Sequence, residues 1–303
     1  MLVKIMETEE EAKQLSKILL NQEDIPAFLY RQSDHEGLVL GLYEEDIPMG
    51  MAYGVIKKDG DIFVMYVFYI KKEARNMQNI CKFLRTMLEV VRERLHAKET
   101  WWKYEFVSER DPFEVVIQRC GYSYEKLWNV KRNLILTADI EKLRKTALYH
   151  PELVQKKGYG IIPWVSYSED GKEQIRRREE QLKQEKDYLS PFVEQEYVKP
   201  EPDTSYVMVH KDTKEPYGWI ICEELSEDTV KLRRFYIYKD NRKLRLGPPF
   251  ASLVLDEISK KYEKLVYDVV KGNSQMERFT ARAFAPIIHE SCYVCNTKIN
   301  LIS

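Results

Sequence analysis

The sequence lacks the features of a membrane-spanning or secreted protein. It contains no apolar run long enough to cross a bilayer. The first residues, Met1 to Ile5, are followed at once by acidic residues and carry no hydrophobic core of a signal peptide. The five cysteines are odd in number and scattered, unlike a disulfide framework. We therefore expect a cytoplasmic protein with reduced thiols and no membrane partner.

An excess of charge of either sign is also missing. The chain has 48 Lys and Arg against 49 Asp and Glu, so its net charge is -1. This balance creates no general field that would attract nucleic acid, although a local basic groove stays possible. The run Arg176–Arg178 adjoins Glu179 and Glu180 and predicts an ion-paired helix face. We do not expect nucleic acid as a partner.

Metal ligands are scarce as well. Cys292 and Cys295, with His289 just before them, form the one cluster of metal-ligating residue types. A structural zinc site needs four ligands, usually as two spaced pairs, and the sequence offers no second pair. We therefore predict no metal site and place these thiols on late strands.

What the sequence does contain is an internal repeat, which is the first pattern to test in a chain of this length. Its 303 residues, 44% of them hydrophobic, favour two domains that each bury a core. Three segments recur in the same order: Pro48–Gly50 with Pro216–Gly218, Phe68–Arg75 with Phe235–Arg242, and Tyr104–Val107 with Tyr267–Val270. We predict a duplicated unit, with domains at 1–140 and 141–303.

Each half follows one order of elements: a hairpin, a strand, a long helix, a strand, a short helix and two closing strands. In the first half, Thr8 and Glu11 predict a capping box before the opening helix. Asp59-Gly60 predicts a hairpin turn. Helical spacing of apolar residues between Arg75 and Leu95 predicts the long helix. In the second half, the corresponding helix is predicted from Gly247 to Lys261.

This order resembles the GNAT superfamily of acyl-CoA N-acyltransferases, once in each half. The tandem plan is similar to that of two-domain acyltransferases of the mycothiol synthase type. The resemblance implies an α/β (α+β) fold of two tandem GNAT-like domains. Each domain would have a mixed, mostly antiparallel sheet flanked by helices.

The family's main motif is Gln/Arg-x-x-Gly-x-Gly/Ala, in which glycines let backbone N–H groups approach a pyrophosphate at a helix start. In the second half it falls on Arg242–Gly247, where Arg242 and Gly247 fit and Arg245 replaces the first glycine. In the first half, Gln78 and Ile80 replace both glycines, so we expect that half to be a structural copy.

The resemblance therefore implies that the second half binds acetyl-CoA or another acyl-CoA. An Asn that opens the short helix lies near the pantetheine arm in the family, and Asn273 fits that position, although Asn is also a favoured helix cap. The implied cofactor-binding residues are Ile237, Lys239, Arg242, Lys243, Arg245, Leu246, Gly247 and Asn273.

The family's proton-transfer groups are missing from their usual places. Lys231 and Arg233 stand where a carboxylate base often lies, and Thr280 stands where many members carry a tyrosine acid. A general acid or base must reach the reacting atom directly or through one water. Candidates by residue type are Tyr236, Tyr238 and Glu224, followed by Glu223 and His289; each also has an ordinary role in packing or at the surface.

We expect an N-acyltransferase that moves an acyl group, acetyl in the simplest case, to an amine of a small molecule or peptide by direct attack on the thioester. The alternative is a non-catalytic GNAT-like protein that binds a ligand or partner. A third hypothesis is transfer from charged tRNA, which the balanced charge disfavours. Aromatic residues between Tyr159 and Pro202 form either an acceptor pocket or ordinary core. We expect a monomer.

Overall fold

The computed structural model describes residues 1–21, 35–57, 61–108, 110–146, 149–184, 188–193 and 198–302. The predicted turn at Asp59-Gly60 lies outside these residues. The chain forms two compact units: unit 1 comprises Met1–Asn129 and Tyr293–Ser303, and unit 2 comprises Val130–Cys292. Within the described residues, no helix combines the length and apolar character needed to cross a membrane.

Unit 1 is a mixed sheet with helices on it. Its elements are β1 (Leu2–Ile5), α1 (Glu9–Leu20), β2 (His35–Glu44), β3 (Ile47–Lys57), β4 (Ile62–Ile70), α2 (Met77–Arg94), β5 (Glu99–Phe106), α3 (Pro112–Arg119) and the start of β6 (Tyr124–Leu136). Strands β1 to β4 pair antiparallel in chain order, and β4 pairs parallel with β5. Thr8 and Glu11 form the predicted capping box at α1.

Unit 2 repeats this plan. Its elements are α4 (Ile140–Arg144), α5 (Glu152–Lys156), β7 (Tyr159–Pro163), α6 (Glu169–Leu182), β8 (Tyr206–His210), β9 (Pro216–Ser226), β10 (Thr229–Ile237), α7 (Gly247–Lys261), β11 (Lys264–Val270), α8 (Ser274–Phe279) and the start of β12 (Ile288–Asn300). Strands β7 to β10 pair antiparallel in chain order, and β10 pairs parallel with β11. The predicted fold class is therefore confirmed.

The last strand of each unit departs from the predicted boundary at residues 140/141. Residues 130–136 of β6 pair antiparallel with β11 in unit 2, and residues 293–300 of β12 pair antiparallel with β5 in unit 1. The two closing strands predicted in each half are instead one continuous strand, β6 in the first half and β12 in the second. Residues 130–140, predicted in the first domain, therefore belong to unit 2, and residues 293–303, predicted in the second domain, belong to unit 1. The reason is that strand pairing is non-local.

Matching side-chain contacts support the repeat. Arg75 donates from Nε to the carbonyl of Ile70, 2.6 Å away, and Arg242 donates from Nε to the carbonyl of Ile237, 2.9 Å away. Each arginine lies five residues after the carbonyl it holds. The arginine shared by the two halves therefore binds the end of its own strand in both units.

A β-bulge also recurs at the same repeat offset. Tyr66 is unpaired with β3, and Arg233 is unpaired with β9. The glycines of the Pro-x-Gly segments face the next strand so closely that a Cβ on Gly50 or Gly218 would lie 2.7 or 2.3 Å from a backbone carbonyl oxygen. These positions require glycine for close approach of the backbone.

The third predicted sequence match is wrong by two residues. The parallel ladders align Met65 with Trp102 in unit 1 and Leu232 with Tyr267 in unit 2. Since Met65 and Leu232 share the repeat offset, Tyr267 corresponds to Trp102 and not to Tyr104. A shift of two keeps the same face of the strand, so the apolar pattern alone could not detect it.

The aromatic segment predicted as either acceptor pocket or core is core. Trp164, Tyr167 and Phe192 are buried in one cluster with Trp219 and Tyr238. Tyr197, which belonged to the same prediction, lies outside the described residues. The cluster packs against the sheet of unit 2, and among the described residues of this segment Leu189 lines the cavity described below.

Candidate active site

Two parallel strands of unit 2 part where the candidate site begins. The β10–β11 ladder runs from Thr229 opposite Lys264 to Leu232 opposite Tyr267. The bulge at Arg233 follows directly, and beyond it Phe235–Ile237 stay paired with β9. A bulge bends its strand and ends pairing locally. The end of β10 thus leaves β11 and opens a cleft between the two strands.

A cavity of about 850 Å³ occupies this cleft. Its apolar wall comes from both strand and helices, and the charged side chains that line it are cationic, with no acidic side chain among the described lining residues. The lining residues are His150, Leu153, Leu189, Phe235, Tyr236, Ile237, Arg242, Arg245, Gly247, Pro248, Pro249, Asn273, Gln275, Met276, Arg278, Phe279, Arg282 and Ala283. An apolar cleft with several guanidinium groups suits a ligand with both apolar and anionic parts.

Arg242 forms hydrogen bonds to both the end of β10 and α8, which are two walls of the cavity. Besides the carbonyl of Ile237, its guanidinium reaches Gln275 Oε1 of α8 at 3.2 Å. It also lies over the ring of Tyr236, 5.5 Å from the centroid. These hydrogen bonds hold the turn after β10 against α8. Part of the Arg242 guanidinium is therefore already engaged in contacts within the protein.

Arg245 takes a backbone conformation that favours glycine. Its φ of 56° and ψ of 31° are left-handed, which suits the position where the motif has its first glycine. Its backbone N–H donates to Arg242 at 3.0 Å. Its side chain is exposed and makes no hydrogen bond or ion pair to the residues that the structure describes. The chain thus keeps the backbone shape of a glycine and adds a cation.

The start of α7 offers few backbone donors. Gly247, Pro248 and Pro249 are its first three residues, and the prolines lack N–H groups. A Cβ on Gly247 would lie 3.1 Å from Ile237 Cδ1, the flexible end of a side chain. The predicted cradle of backbone N–H groups is therefore reduced, and Arg242 and Arg245 lie on the turn just before this helix start.

Asn273 caps α8, as its residue type predicts. Its side-chain oxygen accepts the backbone N–H of Met276 at 3.1 Å, and the residue lines the cavity. Lys239 and Lys243 are exposed on the turn after β10, away from the lining, and Leu246 is only 1% exposed in the core of unit 2. The structure thus brings together five of the eight predicted cofactor residues.

The residues predicted as catalytic candidates have different surroundings in the structure. Tyr236 lines the cavity. Tyr238 is 7% exposed in the aromatic core, where burial raises its pKa to about 12. Glu224 accepts a hydrogen bond from the hydroxyl of Tyr262 at 2.7 Å. Glu223 accepts one from Arg233. Tyr236 is 2% exposed and belongs to the same aromatic cluster as Tyr238, but it is the predicted candidate found among the described residues that line the cavity.

The charged residues at the family's proton-transfer positions have structural partners. Lys231 Nζ lies 2.7 Å from Asp268 Oδ2, and Arg132 Nε lies 2.9 Å from Oδ1. Burial lowers the pKa of Lys231. Burial alone would raise the pKa of Asp268, but hydrogen bonds from Arg132 and Lys231 outweigh it and leave that pKa lowered. Thr280 is buried.

Sequence reasoning missed Arg278 and Arg282. They lie one turn apart, on α8 and on the π-helical segment Thr280–Phe284 that continues it. Their four-residue spacing after a helix cap was visible in the sequence, but nothing there placed them beside Arg242 and Arg245. His150, whose Nδ1 lies 3.2 Å from Glu152 Oε1, was missed for the same reason.

The corresponding place in unit 1 is occupied by aromatic side chains. Phe68, the equivalent of Phe235, packs against Trp102 with ring centroids 5.3 Å apart. Trp102 packs in turn against Phe113 of α3 at 4.7 Å. Trp102 is 2% exposed. Three rings thus pack where the strands of unit 2 open.

The cysteine cluster falls on β12. Cys295 is buried with its Sγ 3.4 Å from Thr297 Oγ1, and His289 lies 3.7 Å from Glu290. Across the described ranges, no group of three or more His, Cys, Asp or Glu residues is arranged to hold a metal ion.

No protein-family model matches the sequence, and a search of curated proteins finds no significant match. Solved structures do match over the whole chain. The tandem GNAT protein from the clavulanic acid biosynthesis pathway, solved without AcCoA, has a TM-score of 0.52 and 11% identity over 98% of each chain. A GCN5-related N-acetyltransferase from Sphaerobacter thermophilus has a TM-score of 0.56 and 10% identity, covering 99% of this chain and 96% of its own. This protein therefore has the tandem GNAT fold, as predicted.

Proposed function

We propose that unit 2 binds an acyl-CoA and transfers its acyl group to the amine of a small molecule or peptide. The observation that carries the proposal is the cavity between the parted ends of β10 and β11, with four arginines and no acidic residue in its described lining. The GNAT fold supports it, since both solved relatives described above are GNAT proteins.

The residues present fit the two chemical parts of an acyl-CoA. Arg242 and Arg245 supply guanidinium donors for a diphosphate, and charge-assisted hydrogen bonds of this kind are the strong ones. Beyond the bulge, Phe235–Ile237 of β10 pair with β9, and the ladder to β11 has ended; a strand edge of this kind suits the amide-bearing pantetheine arm. When bound, the acyl-CoA would supply an activated thioester carbonyl.

Positioning would then account for much of the rate. Holding an amine and a carbonyl in line replaces a bimolecular encounter and lowers the barrier without a strong base. Tyr236 is the candidate group at the cavity for moving a proton. We expect Tyr236→Phe to keep acyl-CoA affinity and to lower turnover by about 10²-fold, the lower range for loss of a proton-transfer group.

The alternative is a non-catalytic GNAT-like protein that binds the same ligand or a partner. One observation favours it: the acidic and basic side chains near the strand ends are already engaged. Glu224 holds Tyr262, and Lys231 holds Asp268. This alternative predicts saturable binding of an acyl-CoA with no release of free thiol in the presence of any amine.

The first test is calorimetric titration with acetyl-CoA of the wild type, Gly247→Trp and Gly247→Ala. A tryptophan at Gly247 would fill part of the cavity, whereas a methyl group would meet the flexible end of Ile237 at 3.1 Å and the Phe235 ring at an ordinary contact distance of 3.8 Å. We expect one-to-one binding by the wild type and Gly247→Ala, and none by Gly247→Trp. An equal affinity of all three variants would place the ligand elsewhere.

Release of free thiol is then measured against a panel of amines. Thiol released in an amine-dependent way supports acyl transfer. Binding without thiol release over the whole panel supports the non-catalytic alternative, and no binding by the wild type contradicts both. Circular dichroism of each variant provides the control for folding.

A further inference from the structure

Two arginines of the cavity lie outside the predicted motif and form no ion pair with the residues that the structure describes. Arg278 lies on α8, and Arg282 lies one turn later on the π-helical segment. Both are exposed and line the cavity. Arg278 donates from Nε to the carbonyl of Ser274 at 3.1 Å. In the described part of the chain, no carboxylate lies within ion-pair distance of either guanidinium.

This arrangement is unfavourable for the free protein. Like charges four residues apart on a helix destabilise it by about 0.2–0.5 kcal/mol. Two other helical arginines of unit 2 have acidic partners: Arg177 lies 3.3 Å from Glu173, and Arg144 lies 2.9 Å from Asp256. Arg278 and Arg282 lack such partners, so an anionic ligand between them would remove a repulsion as well as form new bonds.

The number and positions of the arginines indicate which kind of anion would bind in the cavity. Arg242 and Arg245 lie on the turn that the proposed function assigns to a diphosphate, whereas Arg278 and Arg282 lie on a separate element. Two guanidinium groups match a phosphomonoester, whose charge at neutral pH is about -1.5 to -2. Coenzyme A carries one such group, its 3′-phosphate.

We propose that Arg278 and Arg282 bind the 3′-phosphate of the nucleotide, so that unit 2 distinguishes coenzyme A from its 3′-dephosphorylated form. This inference rests on the proposed function, because it assigns the remaining cations of the same cavity. It concerns discrimination among ligands, and it holds whether the protein is a transferase or a binding protein.

The test is calorimetric titration with CoA and with dephospho-CoA at one fixed ionic strength. Four proteins are compared: the wild type, the double variant Arg278→Gln/Arg282→Gln, Arg245→Gln, and the control Arg177→Gln. Glutamine keeps much of the side-chain length and removes the charge. Arg177 is an exposed helical arginine of the same unit that does not line the cavity.

We expect the wild type and Arg177→Gln to bind CoA about tenfold or more tightly than dephospho-CoA, as loss of one charge-assisted contact would give. The double variant should bind the two ligands within about twofold of each other, with its affinity for dephospho-CoA unchanged. Arg245→Gln should weaken both ligands by a similar factor and keep their ratio.

Equal binding of both ligands by the wild type would overturn the inference and leave the proposed function intact. A ratio retained by the double variant would do the same. If the wild type binds neither ligand, both the inference and the proposed function fail. Thermal melting of the double variant, expected within a few degrees of the wild type because both side chains are exposed, excludes unfolding as the cause of any loss.

Discussion

Replacing Arg245 with glycine should stabilise the protein and weaken its ligand binding at once. Arg245 has φ 56° and ψ 31°, and a left-handed conformation costs a residue with a Cβ about 1–2 kcal/mol. Glycine removes that cost but loses about 0.4–1 kcal/mol through the greater freedom of the unfolded chain. The difference between these two ranges is about 0–1.6 kcal/mol, which gives a net stabilisation of about 0.8 kcal/mol at its centre. For a unit of this size, that raises the melting temperature by roughly 1–4 °C.

The same substitution removes one cation from the cavity. A hydrogen bond to a charged group contributes about 1.5–3 kcal/mol, and the exposure of Arg245 reduces that value through solvent screening. We therefore expect the affinity for acetyl-CoA to fall about five- to tenfold. Because stability and affinity move in opposite directions, partial unfolding cannot explain the weaker binding.

The measurement combines thermal melting with calorimetric titration. Lys214→Gly is the matched control, since Lys214 is also exposed, has φ 59° and lies in the turn between β8 and β9, away from the cavity. It should show a similar rise in melting temperature with unchanged affinity. A lower melting temperature of Arg245→Gly would refute the strain argument, and an unchanged affinity would refute the role of Arg245 as a ligand cation.

Three further predictions concern unit 2. Asn273→Ala should lower the free energy of unfolding by about 1 kcal/mol through loss of the α8 cap, and Asn273→Asp should retain it; equal urea midpoints for both would contradict the capping role. Gly218→Ala should lower the free energy of unfolding by about 1–3 kcal/mol, because the new Cβ would lie 2.3 Å from the carbonyl oxygen of Tyr236. In the control Gly160→Ala the new Cβ has its nearest neighbour at 3.9 Å, so the same urea titration should show almost no change. Burial raises the pKa of Tyr238 from 10.0 to about 12, so its contribution to stability is complete below pH 10 and is lost as pH rises toward 12. The decline in melting temperature over that interval should be shallower in Tyr238→Phe, and identical curves would contradict the shift.

Local signals in the sequence were sufficient for the elements and for part of the site. The predicted helix Gly247–Lys261 and the strand Lys264–Val270 have the predicted bounds. The capping box at Thr8 and the cap at Asn273 were predictable because a cap depends on residues three positions apart. Arg242 and Gly247 were found because the motif lies within one short segment.

Other features of the site were decided by contacts between distant segments. Glu224 and Tyr238 matched by residue type, but one is held by Tyr262 and the other is buried in the aromatic core. Arg278 and Arg282 were not predicted, because their importance comes from facing a turn more than thirty residues earlier in the chain. Residue type and spacing carry no information about which distant side chains meet.

The sequence by itself predicted a repeated unit, since residues that recur in the same order can be recognised without knowledge of packing. Only the tertiary structure decided which strand closes which unit and where the cations gather. Residues 130–136 and 293–300 complete their sheets through hydrogen bonds to strands that are distant in the chain. A strand's own pattern specifies which face is buried, but it does not specify the partner, because every strand edge presents the same backbone donors and acceptors.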